Sequence, residues 1–118
     1  MKMVKVTSPS KTFTVVDALY ALTLNLSKTT ALNSTSGPED PIVFSGKLTL
    51  NNSPLAGKKI HIGFNPPHED HFWWDEAGGT TATTDAQGNY SFTISFRDGV
   101  GGESATGTWQ VATEWRGD

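Results

Sequence analysis

The stretch Tyr90-Ser91-Phe92-Thr93-Ile94-Ser95-Phe96 carries a large apolar residue at every second position, with polar residues between them. Successive side chains of a β-strand point to opposite faces of its sheet, so this alternation predicts a strand with one buried face. The alternation recurs along the chain, and we therefore expect an all-β protein, an antiparallel β-sandwich of about seven strands. The other alternating sets are Tyr20, Leu22, Leu24 and Leu26; Ile42, Phe44, Leu48 and Leu50; Ile60, Ile62 and Phe64; Trp109, Val111 and Trp115; and, more weakly, Thr80, Ala82 and Thr84.

Several positions between and within these strands carry specific expectations. Asp85-Ala86-Gln87-Gly88 is typical of a hairpin turn, in which Asp85 accepts hydrogen bonds from the backbone amides of the turn. Gly46 lies where a core side chain is expected, which indicates a bulge or a close approach of two backbones. Lys59 and His61 are expected to point outward from their strand, whereas Trp109 and Trp115 are expected in the core or at its edge.

Length and composition exclude several classes of protein. The 118 residues suit one domain of the usual size, about 100–150 residues. The absence of cysteine excludes disulfides, thiolate zinc sites and a cysteine nucleophile. The net charge of −3 argues against nucleic acid as a partner, because phosphate binding needs a basic surface. No apolar run approaches the roughly 20 residues of a membrane helix, so we expect no membrane insertion.

The N-terminal residues divide from the rest of the chain. We predict that residues 19–118 form the sandwich domain and that residues 1–18 are an N-terminal strand or a linker from a preceding repeat. Two interpretations of Thr12-Phe13-Thr14-Val15-Val16 stay open. The segment is either an edge strand of this domain or the closing strand of a preceding repeat.

Four motifs follow one another along the part of the chain that begins at Tyr20. They are Phe44-Ser45-Gly46-Lys47-Leu48-Thr49-Leu50; Ser53-Pro54-Leu55-Ala56-Gly57-Lys58-Lys59-Ile60; Thr83-Thr84-Asp85-Ala86-Gln87-Gly88-Asn89-Tyr90-Ser91-Phe92; and Gly107-Thr108-Trp109-Gln110-Val111, with Gly117-Asp118 at the end. Their order resembles that of the bacterial immunoglobulin-like (Big-type) repeats of surface and adhesion proteins, and parts of them also occur in carboxypeptidase-regulatory-like and transthyretin-like sandwiches. The resemblance implies an immunoglobulin-like, Greek-key repeat domain within a larger extracellular or cell-envelope protein, with neighbouring repeats of the same polypeptide as partners.

Residues 66–79 depart from that family's pattern because they are longer and more aromatic. Three consecutive aromatic residues cannot all point inward, so at least one of them should be partly exposed. An exposed tryptophan flanked by acids and histidine suits the stacking of sugar rings or contact with a protein. The alternative is that the loop lays its aromatic residues over an open end of the sandwich as a lid on the core. The candidate ligand-binding residues are Trp73, Trp74, His68, His71 and Phe72.

Metal binding and catalysis have weaker support. The run His68-Glu69-Asp70-His71, with Asp75 nearby, contains metal-ligating residue types, but its spacing matches no established metal motif. The carboxylates of residues 69–76 share one loop, and no serine lies in a nucleophile elbow. We therefore expect no metal, no cofactor and no enzymatic activity.

Three functions remain. The leading hypothesis is a non-catalytic structural or spacer module, expected as a monomer whose two termini lie at opposite ends of the sandwich. The second is an adhesion module that binds a glycan or a protein through residues 66–79. The third is an accessory domain of a secreted hydrolase.

Overall fold

Nine β-strands and no helix form the secondary structure of residues 4–76, 81–99 and 102–118, the part of the chain that this computed structural model describes. The all-β prediction is therefore confirmed. One short strand, Trp73–Trp74, lies within residues 66–79, which the sequence analysis describes as a loop. The strands are β1 Tyr20–Leu22, β2 Asn25–Leu26, β3 Ile42–Leu50, β4 Ser53–Pro54, β5 Lys59–Asn65, β6 Trp73–Trp74, β7 Ala82–Thr83, β8 Asn89–Ile94 and β9 Gln110–Trp115.

The strands form two antiparallel sheets, each built around one long central strand. In the first sheet, β1 and β2 pair with one edge of β3, and β4 and β8 pair with the other. In the second sheet, β9 pairs with one edge of β5, and β6 and β7 pair with the other. Within the described residues no helix is long and apolar enough to cross a membrane.

The two sheets enclose one hydrophobic core, as in a β-sandwich. Phe44 of the first sheet and Phe64 of the second meet edge to face, with ring centroids 5.3 Å apart. Strand β8 shows the expected alternation directly, because its side chains are in turn exposed and buried. The buried residues are the apolar positions that the period of two selects: Ile42, Phe44, Leu48, Ile60, Ile62, Phe64, Tyr90, Phe92 and Ile94.

Strands β1 and β2 lie on β3 at a point where two backbones approach closely. A Cβ atom on Gly46 would lie 1.9 Å from the carbonyl oxygen of Thr23, so only glycine fits there, as the sequence predicts. The Tyr90 hydroxyl donates a hydrogen bond to that same carbonyl (2.6 Å) and also contacts Thr113 Oγ1 of the second sheet (2.9 Å). Burial raises the pKa of the Tyr90 hydroxyl above its ordinary value. This hydroxyl therefore connects the segment between β1 and β2 to the opposite sheet.

The turn between β7 and β8 has the predicted form. Asp85 Oδ1 accepts hydrogen bonds from the amides of Gln87 and Asn89, both at 2.9 Å. The prediction of an aspartate-centred turn is confirmed. The prediction that this turn closes a hairpin is wrong, because β7 pairs with β5 in the second sheet and β8 pairs with β3 in the first.

The chain enters and leaves the sandwich at the same end, which we call the near end. Tyr20 pairs with Leu50 in the first sheet, Trp115 pairs with Ile60 in the second, and the Tyr20 and Trp115 rings are 5.2 Å apart. The expectation of termini at opposite ends is therefore wrong, because β1 leads away from the near end and β9 returns to it. The opposite, far end is formed by residues 28–41, 66–72, 95–99 and 102–109, which connect or precede the strand ends there.

Residues 4–19 extend away from the near end. They belong to no strand, every one of them is exposed, and the molecule measures 91 × 24 × 19 Å as a result. Residues 12–16 are therefore not an edge strand of their own sandwich in this structure. Whether residues 1–18 derive from a preceding repeat stays a prediction.

We expect Tyr90→Phe to lower the free energy of unfolding by about 1 kcal/mol, because the Thr23 carbonyl and the Thr113 hydroxyl lose a shared, partly buried partner. Urea denaturation followed by tryptophan fluorescence measures the change. Tyr20→Phe is the matched control, since Tyr20 is 51% exposed. Equal losses in the two variants would contradict the role given to the Tyr90 hydroxyl.

Candidate functional site

The candidate site from the sequence lies on the connection that leaves β5 at the far end. We call its described residues, 66–76, the aromatic loop. The loop turns at the far end and comes back along β5 as β6, which pairs Trp73 with Phe64 and Trp74 with Gly63. The amide of Asp75 then donates to the carbonyl of Ile62 at 2.8 Å. The second half of the loop is thus held by backbone hydrogen bonds rather than being free in solvent. Residues 77–79 lie outside the described residues.

Trp74 and Phe72 pack on the outward face of the second sheet. A Cβ atom on Gly63 would lie 2.6 Å from Cδ2 of Trp74, so the indole ring rests directly on the glycine backbone. Phe72 stacks on Trp74 with ring centroids 6.0 Å apart and planes 30° apart. The expectation of a lid over the core is wrong for these two rings, because Gly63 alternates with the core residues Ile62 and Phe64 and faces away from the core.

Trp73 points into solvent beside His71. Trp73 is 43% exposed, and its ring centroid lies 4.6 Å from that of His71. His71 Nδ1 lies 3.3 Å from Asp70 Oδ1 and 3.9 Å from Glu69 Oε2. The prediction that at least one aromatic residue of the loop is partly exposed is confirmed. The result is an aromatic surface with carboxylate oxygens at its border. His68 is also exposed, at the turn of the loop.

The loop also covers His61, which the sequence analysis expects to point outward. His61 does lie on the outward face of β5, but it is only 7% exposed, because its Nδ1 contacts Asp75 Oδ2 at 2.8 Å. Asp75 adopts a left-handed backbone conformation (φ 61°), which aspartate tolerates better than most residues. Arg116 approaches the same carboxylate oxygen to 3.9 Å. Asp75 therefore fixes the return of the loop and is not available to the surface near Trp73.

The structure does not join the metal-ligating residue types of the loop into one cluster. Within the described residues no group of three His, Asp or Glu side chains is placed to hold a metal ion. His61 Nε2 and Asp75 Oδ1 are buried and have no hydrogen-bond partner among the described residues. This pair is an internal contact of the fold.

A second feature of the far end, an apolar groove of about 680 Å³, was not found from the sequence. Its floor is the edge of the core, where Phe96 meets Trp109 at 5.0 Å and Phe64 at 5.5 Å. Trp109 is held in place by a hydrogen bond from its Nε1 to the carbonyl of Ala105, 2.8 Å long. The groove opens between the sheets, beside β2 and β9. It is lined by residues 26, 29–33, 42, 44, 64, 96, 105–109 and 111.

Polar contacts brace the two loops that border this groove. Asp98 Oδ1 accepts hydrogen bonds from the amide of Ala105 (2.8 Å) and from Asn33 Nδ2 (2.7 Å). These bonds, the one from Ala105 first, hold the pKa of Asp98 below its ordinary value. The Ser34 amide donates to the carbonyl of Phe96 at 2.8 Å. The groove is therefore formed in advance by fixed loops.

Comparisons with protein-family models, with curated proteins and with solved structures found no match. The resemblance to bacterial immunoglobulin-like repeats therefore stays a prediction, and the functional argument depends on the residues and their geometry.

We expect Trp74→Ala to destabilise the fold by about 2 kcal/mol, because it exposes Gly63 and the outward face of β5. Trp73→Ala should change the free energy of unfolding by less than about 0.5 kcal/mol, since surface substitutions usually do. Chemical denaturation of both variants tests the contrast. A loss for Trp73→Ala as large as that for Trp74→Ala would show that Trp73 is part of the fold.

We expect Asp98→Asn to lower the melting temperature at pH 7. The depressed pKa of Asp98 stabilises the folded state above the ordinary aspartate pKa, about 4, and this contribution is lost as the pH falls through the lower folded-state value. The difference between wild type and variant should therefore shrink below about pH 4. Calorimetry between pH 7 and pH 2 measures it, with Asp17→Asn as an exposed control. A difference that is constant over this range would contradict the assignment.

Proposed function

We propose that the chain is a non-catalytic, immunoglobulin-like Greek-key module of a larger cell-surface or extracellular protein, attached through its near end and binding a glycan at its far end. The observation that carries the proposal is the exposed ring of Trp73, beside His71 and the carboxylates of Glu69 and Asp70. The cell-surface setting has the sequence resemblance as its support.

The position of the chain ends favours a binding module over an in-line spacer. A spacer in a string of repeats needs the chain to enter at one end and leave at the other. Here Tyr20 and Trp115 touch each other at the near end, so the far end projects from whatever the chain is attached to. A projecting module suits an adhesion protein and also an accessory domain of a secreted hydrolase, since both present a ligand-binding end.

The chemistry near Trp73 fits a sugar. The flat face of an indole ring stacks on the apolar face of a sugar ring, and carboxylate oxygens accept hydrogen bonds from sugar hydroxyls. Asp70 is fully exposed, and Glu69 is partly so. Catalysis by these carboxylates has less support, because Asp75 is engaged with His61 and the others lie on one exposed loop.

The platform is also held rigidly, which favours binding. Trp73 is paired to Phe64 by β6, and its neighbour Trp74 is anchored on Gly63. An immobilised side chain loses little conformational entropy when a ligand arrives. A sequence with three aromatic residues on a disordered loop would not have this advantage.

The test is a titration of the chain with a panel of polysaccharides, followed by intrinsic fluorescence and by calorimetry. At least one polysaccharide should bind, and Trp73→Ala should weaken that binding by roughly tenfold or more, as expected for a central aromatic contact. Tyr20→Ala, which removes an exposed aromatic ring at the near end, should bind like the wild type. If Trp73→Ala bound as tightly as the wild type, the placement of the site at Trp73 would be refuted. If no polysaccharide of the panel bound, the proposal that the ligand is a glycan would be refuted.

A further inference from the structure

The exposed segment of residues 4–16, which we call the N-terminal arm, has the sequence of a strand but no sheet of its own. Phe13 is 89% exposed and Val15 83%, and they alternate with Thr12 and Thr14. Val4 and Val6 repeat the pattern with 77% and 88% exposure. Apolar side chains that alternate along an extended backbone are stabilised when another sheet edge takes them up.

The sandwich offers such an edge next to the apolar groove. Strand β9 pairs with β5 along one edge, and no strand in the described part of the chain pairs with its other edge. Val111 of β9 lines the groove, as does Leu26 of β2 across the opening, which is 37% exposed. A strand added beside β9 would place every second side chain toward the aromatic floor.

We propose that the N-terminal arm of one copy of this chain docks in the far-end groove of a second copy, as an added strand beside β9. Phe13 enters the groove against Phe96 and Trp109, and Val15 follows on the same face of the strand. The backbone of the arm supplies hydrogen bonds to β9, and the groove selects the alternating side chains.

The geometry assigns the arm to another copy rather than to its own. The arm leaves at the near end, whereas the groove lies at the far end. The direction of exit is fixed by two hydrogen bonds, from the Leu19 amide to Asn51 Oδ1 (2.7 Å) and from the Asn51 amide to the Leu19 carbonyl (2.8 Å). The arm would have to reverse directly beside these bonds to reach its own groove. Its 13 residues span about 43 Å when extended, at about 3.3 Å per residue, which is ample for a neighbour.

Charge favours the same docking. The described arm carries Lys5 and Lys11 and no acidic residue. The two loops that border the groove, residues 28–41 and 95–109, carry four carboxylates and two cations, a net charge of −2, which attracts a cationic strand. The carboxylates belong to Glu39, Asp40, Asp98 and Glu103, and the cations to Lys28 and Arg97.

The contact is heterologous, because the two copies use different surfaces. Repetition therefore gives either a closed ring or an open row of copies. This differs from the monomer that the sequence analysis expects, and it is independent of the proposed glycan site, since Trp73 does not line the groove.

Sedimentation of the full chain over a range of concentrations tests the proposal. The wild type should associate, and Phe13→Asp should weaken association by roughly 10- to 100-fold, because a large buried apolar side chain is lost. Thr12→Asp is the matched control: it adds the same charge on the opposite face of the arm and keeps the Phe13 ring, so it should weaken association much less than Phe13→Asp. A wild type that stays monomeric throughout, or equal losses for the two variants, would overturn the proposal.

Mixing two defective variants sharpens the test. Phe13→Asp prevents the arm from docking, and Leu26→Lys blocks the groove that receives the arm. Each variant should therefore associate poorly alone. Mixed together, the intact arm of Leu26→Lys should fill the intact groove of Phe13→Asp and give a one-to-one dimer that grows no further. A mixture that stays monomeric, or an arm protected from proteolysis in the monomer, would overturn docking between copies. Trp73→Ala should still associate, which separates this proposal from the glycan site.

Discussion

The edge-to-face contact of four aromatic rings across the two sheets is the interaction on which the far end depends. Phe44 of the first sheet meets Phe64 of the second at 5.3 Å, and Phe96 and Trp109 extend the cluster toward solvent. These rings hold the sheets together at the end where three loops leave the strands. They are also only partly covered, because Phe96 and Trp109 are half-buried. The same packing that joins the sheets therefore leaves an apolar groove at their margin.

The alternation along β5 explains how the aromatic loop is anchored on the second sheet. Ile60, Ile62 and Phe64 fill the core, so His61 and Gly63 face outward. The loop returns across that outward face, where Asp75 pairs with His61 and the ring of Trp74 rests on Gly63. Trp73 precedes these two anchored positions and pairs with Phe64, so its side chain lies on the other face of β6, the face turned toward the first sheet. Among the described strands β6 pairs with β5 alone, and at this edge of the sheet the Trp73 ring stays 43% exposed.

The local pattern of the sequence predicts the strands, the core residues, the turn at Asp85 and the exposure of at least one ring in Phe72-Trp73-Trp74, because each depends on neighbours within a few residues. It does not predict β6, the burial of His61 or the contact of Tyr20 with Trp115, because these depend on which distant strands pair. The groove was also missed, since it arises where Phe96, which follows β8, meets Trp109, which precedes β9. For β6, one signal was present in the sequence. A glycine within an apolar strand, such as Gly63, indicates that a bulky neighbour rests on it.

The two surfaces of the far end lie on different faces of the molecule, so both can be occupied at the same time. The Trp73 surface lies at the β6 edge of the second sheet, whereas the groove opens on the β9 side of β5. An arm in the groove therefore leaves Trp73 free. A row of copies joined by their arms would repeat one aromatic surface at a regular spacing along a polysaccharide, which itself repeats. Single contacts of one tryptophan with one sugar are weak, but linked copies bind a repeating ligand with a much higher effective concentration. Self-association and glycan binding would then be two parts of one function.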